Sequence, residues 1–202
     1  SPMKGVDRRM LDHMGDEVAR ATTIVRYAPG SAFSPHVHTG GEEYLVLEGT
    51  FQDEHGDFPA GTYVRNPPQS SHTPRSDDGA VIMVKLWQFD LDDRTAVVVL
   101  PDDMTPKKVD HDVRITELHR DKNEVVKIED WAANAVISIP DQGGIEVFVI
   151  DGGFTEGRDT FKTHSWLRVP NGQPLSAIVG PNGARVWTKT GHLRTAPTPP
   201  VT

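Results

Sequence analysis

The chain has 202 residues, nine histidines and no cysteine, a length that suits one domain or two small ones. Without cysteine there is no disulfide framework, thiolate zinc finger, iron–sulfur cluster or cysteine nucleophile. A net charge of -8 repels phosphate backbones and argues against nucleic acid as a partner. The longest apolar runs, 80–84 and 96–100, are far too short to span a bilayer. No targeting segment is legible, although the chain starts at Ser1-Pro2 without methionine, as a trimmed chain would. Cytoplasm is the expected compartment.

The predicted elements are short and punctuated by glycine and proline, the pattern of an all-β chain. Within the charged stretch at 5–20, residues 8–14 are read as a helical turn or as an arm lying across another subunit. Strands are predicted at 22–28, 42–54 with a bend at Gly49, 61–66, 80–89 and 95–100. The polar, proline-bearing segment 101–112 lacks periodicity and marks a domain boundary, giving domains at 1–104 and 105–202. The second half starts over, with strands predicted at 113–119, 125–131, 135–140, 144–156, 165–170, 177–180 and 184–193. The tail 195–202 is proline-rich and reads as loose.

Comparing the chain with itself reveals a repeat. Gly40-Gly41-Glu42-Glu43-Tyr44-Leu45-Val46-Leu47-Glu48-Gly49 aligns with Gly143-Gly144-Ile145-Glu146-Val147-Phe148-Val149-Ile150-Asp151-Gly152 at an offset of 103 residues. The same offset pairs Phe51 with Phe154, Phe58 with Phe161, Tyr63 with Trp166, Arg65 with Arg168 and Pro67 with Pro170, without a gap. The chain reads as two copies of one β unit of roughly 90 residues.

Chemistry concentrates in the first copy. His36-Val37-His38 places two imidazoles two residues apart, on one face of a strand. Glu42 opens the next strand, and His72 follows the Pro67-Pro68 turn. Three imidazole nitrogens and one carboxylate oxygen suit a first-row divalent metal. Scattered surface histidines are the bland alternative. The repeat argues against it, because His36, His38, Glu42 and His72 correspond to Ile139, Asp141, Ile145 and Leu175. The second copy keeps the framework and has lost every candidate donor.

Gly30-x5-His36-x-His38-x3-Glu42-x6-Gly49 resembles the first cupin motif at every position. Gly61-x5-Pro67-x-Gln69-x2-His72-x3-Ser76 resembles the second, with Gln69 where glycine is usual and Ser76 where asparagine often stands. The wording His38-Thr39-Gly40-Gly41-Glu42-Glu43, Phe51-Gln52-Asp53-Glu54-His55-Gly56 and His72-Thr73-Pro74 is similar to the ChrR-type cupin, the C-terminal domain of a zinc anti-sigma factor. The detailed match covers residues 20–90. The resemblance implies two tandem cupin barrels (double-stranded β-helix or jelly roll), the first with an N-terminal arm and the second degenerate and metal-free. It implies one divalent ion per chain, Fe2+ or Zn2+ first and Mn2+ or Ni2+ next, held by His36, His38, Glu42 and His72. It also implies a homodimer and a small-molecule substrate or ligand, with neither nucleic acid nor membrane as partner. With no cysteine and about 20 residues before the first strand, the chain is not expected to be a complete anti-sigma factor of that type.

Relatives of this cupin group include iron dioxygenases that cleave carbon–carbon bonds in diketones and hydroxyketones. The leading expectation is therefore a mononuclear oxygenase acting on a small ketone or diketone. The alternative is a non-catalytic zinc-binding regulator related to the ChrR cupin, since a closed tetrahedral site is usually structural. Isomerase or lyase chemistry at the same ion is a third reading. Tyr44, Tyr63, Arg65 and Trp87 are candidate substrate-binding residues, with Lys85 alternating beside them. Core packing is the blander role for Tyr44. For Arg65 the blander role is a structural ion pair, for instance between domains, because Arg168 repeats it where no metal is expected.

Overall fold

The computed structural model describes residues 5–15 and 19–194; the proline-rich tail expected to be loose lies outside them. Nearly every described element is a strand, and the contacts divide the described residues into two units between Met104 and Thr105. The architecture is all-β, two tandem cupin barrels.

In the first unit the chain runs β1 (Val6–Gly15), β2 (Ala19–Tyr27), β3 (Ser31–Ala32), β4 (His36–His38), β5 (Glu42–Asp53), β6 (Gly56–Pro59), β7 (Tyr63–Asn66), β8 (Ser70–His72), β9 (Arg75–Ser76), β10 (Ala80–Leu86) and β11 (Val97–Val99). The main sheet is ordered β1-β2-β10-β5-β7-β11. Strand β5 serves both layers: its first half pairs with β10 and β7, its second half with β6 and β9. Tyr27, Tyr44, Val46, Phe51, Val64, Ile82 and Val84 fill the barrel, and burial of each large apolar side chain contributes about 1.5–3 kcal/mol.

The stretch at 8–14, expected as a helical turn or an inter-subunit arm, is part of β1, antiparallel to β2. Its polar sequence hides the strand because β1 is an edge with much of its length exposed. The strand expected at 80–89 ends at Leu86, where Trp87 turns to a φ of 58°.

The second unit repeats the plan with β12 (Lys107–Lys108), β13 (Val113–Arg120), β14 (Val125–Trp131), β15 (Val136–Ile139), β16 (Ile145–Glu156), β17 (Asp159–Lys162), β18 (Trp166–Val169) and β19 (Leu175–Thr190). The two strands expected at 177–180 and 184–193 are one, β19. The repeat survives in register. His36 faces His72 across β4 and β8, and Ile139 faces Leu175 across β15 and β19; both positions move by the same 103 residues. The second core is apolar there, built on Trp131, Ile145, Val147, Leu175 and Val186.

Both barrels bend their twelve-residue strand at one glycine. Gly49 has φ 69° and Gly152 φ 71°, and a Cβ on either would lie 2.1 Å from a carbonyl oxygen, that of Gly79 or Gly183. A side chain there meets fixed backbone as well as unfavourable torsion. Gly49→Ala and Gly152→Ala should each destabilise by about 2 kcal/mol or more, read as a lowered urea midpoint. Gly30→Ala has open space around its Cβ and should cost less.

Candidate metal centre

Two short strands bring the imidazoles together. β4 and β8 form a ladder of their own, with His36 opposite His72 and His38 opposite Ser70. The donor nitrogens of His36, His38 and His72 all lie within 4.8 Å of one another. Glu42, first residue of β5, sends Oε2 to 3.4 Å from His38 Nε2 and 3.5 Å from His72 Nε2. Asn66, opposite Glu42 on β7, donates to the same oxygen at 3.3 Å. Three of the sequence-predicted donors therefore lie within 4.8 Å of one another, and the fourth, Glu42, approaches two of them.

Nε2 of His38 and Nε2 of His72 are buried and have no hydrogen-bond partner. An unmet buried polar atom costs about 1–3 kcal/mol, so two aimed at one carboxylate need an explanation. A divalent cation supplies it, since three nitrogens and one oxygen are an apt donor set.

The far sides of the rings are held. His36 Nδ1 is 2.9 Å from the Ser34 carbonyl, and His72 Nδ1 is 3.0 Å from Asp53 Oδ2. A proton on each Nδ1 leaves the Nε2 lone pair free for an ion, the usual support behind a metal-bound histidine. Burial pushes His38 below its ordinary pKa, and the neighbouring His72 and His36 act in the same direction against Glu42. Burial also acts to lower His72, but Asp53 and Glu42 outweigh it and raise the net value. Asp53 is pushed up by burial and pulled lower overall by His72 and the His55 N–H. Asp53, Asn66 and Ser34 are the supporting residues that sequence reasoning missed. Asp53 and Asn66 are distant in sequence from the side chains they hold, and only the turn of β5 and the β5–β7 register bring them close. Ser34 lies two residues before His36 and acts through its backbone carbonyl, which no side-chain pattern reveals.

The cluster opens into a cavity of about 690 Å³. His36, His38 and Glu42 line it, beside Val25, Tyr27, Phe33, Ile82, Val84 and Trp87. Trp87 is the one proposed substrate-contact residue on this wall. Its indole lies against Gly40, where a Cβ would collide with the ring at 2.1 Å, and its Nε1 is 3.2 Å from Thr39 Oγ1.

Three other expectations change. Tyr63 and Arg65 point to the opposite face of the sheet. The register pairs Glu42 with Asn66 and Tyr44 with Val64 on the barrel side, and so sends Glu43, Arg65 and Tyr63 outward. There Tyr63 donates to Glu43 at 2.5 Å, while Arg65 pairs with Asp93 at 2.5 Å and lies over the Phe89 ring. Lys85, opposite Glu43, donates to Thr22 on that same face. Tyr44 does face the barrel but packs into the core against Phe51 and Phe58, and is not among the residues lining the cavity. Burial, with Glu42 and Asp53 nearby, raises its phenol far above the ordinary value and keeps it neutral.

In the second unit, Asp141 replaces His38 and is spent on a turn, accepting from the N–H groups of Gly143 and Gly144. Elsewhere, donor atoms of His119, Asp121 and Glu124 also come within 4.8 Å, a grouping the sequence spacing did not suggest. Asp121 already accepts two backbone N–H bonds, and Glu124 pairs with Lys189 at 2.9 Å. Their bonds make this a structural turn.

The sequence of residues 1–90 matches the family model described as the ChrR Cupin-like domain. No curated protein matches the chain. Among solved structures it is similar to a candidate dioxygenase from Nostoc punctiforme, at 13% identity and TM-score 0.77, covering 100% of this chain and 79% of that one. A cupin 2 conserved barrel domain protein from Leptotrichia buccalis gives 11% identity and TM-score 0.61, covering 95% and 91%. Bacillus subtilis oxalate decarboxylase, a protein with Mn(II) centres, gives 13% identity and TM-score 0.64, covering 93% and 73%. At such identities these likenesses speak to the fold. Among the described residues no helix is long and apolar enough to cross a membrane.

Two outcomes are expected. His38→Ala should lose bound metal by elemental analysis, whereas Asp141→Ala should retain it; equal retention would overturn the donor assignment. On the outer face, burial pushes Asp93 up, but the Thr95 N–H and Arg65 outweigh it and hold its carboxyl below the ordinary range. Asp93→Asn should therefore cost about 2–3 kcal/mol at neutral pH. Because the folded-state pKa is depressed, that contribution is full above the ordinary aspartate value near pH 4 and is lost as pH falls through the lower folded value. Urea melts of the two proteins should converge on acidification.

Proposed function

Since residues 1–90 match the ChrR cupin-like domain in sequence, we propose that the chain is a mononuclear metal-dependent oxygenase acting on a small ketone or diketone. The supporting observation is the opening of the donor cluster into the cavity: His36, His38 and Glu42 are themselves part of its wall. A site whose only task is to brace a fold is normally closed by its ligands. This one has room for a small organic molecule beside the donors.

A divalent ion held by His36, His38, Glu42 and His72 supplies Lewis acidity and a template for substrate oxygens. Fe2+, Zn2+, Mn2+ and Ni2+ all accept this donor set. The chain's own residues do the rest. Ser34 and Asp53 fix the imidazole rings, and Asn66 steadies the Glu42 carboxylate. Val25, Phe33, Ile82 and Val84 make an apolar wall that excludes water from a bound ketone and its enolate.

A second reading, a zinc-binding regulator, is supported by the family match itself. Protein purified without added metal separates the two by metal content and coordination. The oxygenase reading expects a divalent ion with exchangeable water, and oxygen uptake by the iron-loaded protein with pentane-2,4-dione. A four-coordinate zinc without water, and no uptake with iron, would overturn it in favour of the regulator.

A further inference from the structure

We propose that the cavity takes a carboxylate-bearing oxo compound, with Arg8 of β1 as the group that binds the carboxylate. The inference rests on the metal-site reading and names the substrate class for that site.

The β1–β2 register carries the argument. Val6, Arg8 and Met10 stand opposite Tyr27, Val25 and Thr23, and those three partners line the cavity. Arg8, exposed to solvent on this edge strand, therefore lies on the cavity side, while Arg9, opposite Ile24, faces away. A bulge between Met10 and Asp12 then shifts the pairing by one residue. His13, rather than Asp12, comes to stand opposite Ala21, another cavity residue. Uninterrupted pairing would have turned the Asp12 carboxylate inward, since a one-residue slip exchanges the faces of a strand.

The outcome is unusual for a chain of net charge -8. Arg8 and His13 line the cavity, and among the described residues its only acidic lining residue is the candidate metal donor Glu42. The guanidinium of Arg8 lies 5.6 Å from the centre of the Phe33 ring, within cation–π range. That ring in turn meets the His36 imidazole edge-on at 6.2 Å. Arg8 is thus one aromatic ring away from the metal donors, and its cation–π contact with Phe33 does not occupy its N–H groups. A planar fork of donors is the group best matched to a carboxylate. A ligand that spans both sites presents chelating oxygens to the ion and a carboxylate to Arg8.

The test uses the full chain loaded with Co(II), whose visible spectrum reports on donors and ligand together. The probes are 2,4-dioxopentanoate and its methyl ester, which share a diketone skeleton and differ in charge. Wild type should bind the acid about tenfold more tightly than the ester, the effect of one charge-assisted contact. Arg8→Gln should erase that preference while leaving Co(II) uptake and ester affinity unchanged, and Arg8→Lys should keep part of it. Arg9→Gln controls for net charge and should behave as wild type. Equal affinities of wild type for acid and ester, or an equal loss in Arg9→Gln, would overturn the role of Arg8 while the metal site stands. Failure of wild type to take up Co(II) would overturn the metal reading and this inference with it.

Discussion

The two-residue period of a β-strand is the constraint on which this site depends. Side chains at Glu42 and Glu43 differ by one position and end in different chemistry. Glu42 approaches the imidazoles of His38 and His72 inside the barrel, and Glu43 accepts a hydrogen bond from Tyr63 on the outer face. The same parity separates Tyr44 from Leu45 and sends Arg65 away from the cavity. Cross-strand pairing then turns local parity into a three-dimensional cluster: His36 meets His72 because β4 lies on β8 in one register. A slip of one residue in either strand would break the cluster apart without changing a single residue.

Much of this was legible in the sequence because it was written twice. The offset relating Glu42 to Ile145 also relates His36 and His72 to Ile139 and Leu175, and the structure keeps both pairs face to face. Comparing two solutions of one fold separates what the barrel needs from what the first copy adds. Gly49 and Gly152 belong to the barrel, since both bend the long strand against a carbonyl; the imidazoles do not. The loss extends beyond the donors. Asp53 and Asn66, which support His72 and Glu42, stand where the second copy has Glu156 and Val169.

What escaped the sequence has physical reasons. Polar residues on alternate positions normally mark the wet face of a sheet, but here Lys85 and Glu43 are fully buried and Arg65 is 2% exposed. Alternation therefore revealed two faces without revealing which one held the site, and Tyr63 and Arg65 fell on the wrong side. The strand β1 escaped for the opposite reason. Its edge position leaves polar residues on both sides, and its bulge interrupts the pattern in the middle. Asp53 escaped because its approach to His72 depends on where β5 turns.

That turn has a mechanical consequence. Glu42 and Asp53 are the two ends of the twelve-residue strand β5, which if straight would hold them roughly 36 Å apart. Folded over at Gly49, the strand returns Asp53 to the imidazole that Glu42 approaches from the other side. An ion bridging Glu42 and His72 would close a ring through the whole strand and the Asp53 hydrogen bond. Such an ion would act as a clasp on the jelly roll, and its binding energy would enter the stability of the barrel directly. Ion binding and folding of the first unit would then be coupled, whereas the second unit has Ile139 against Leu175 in that place.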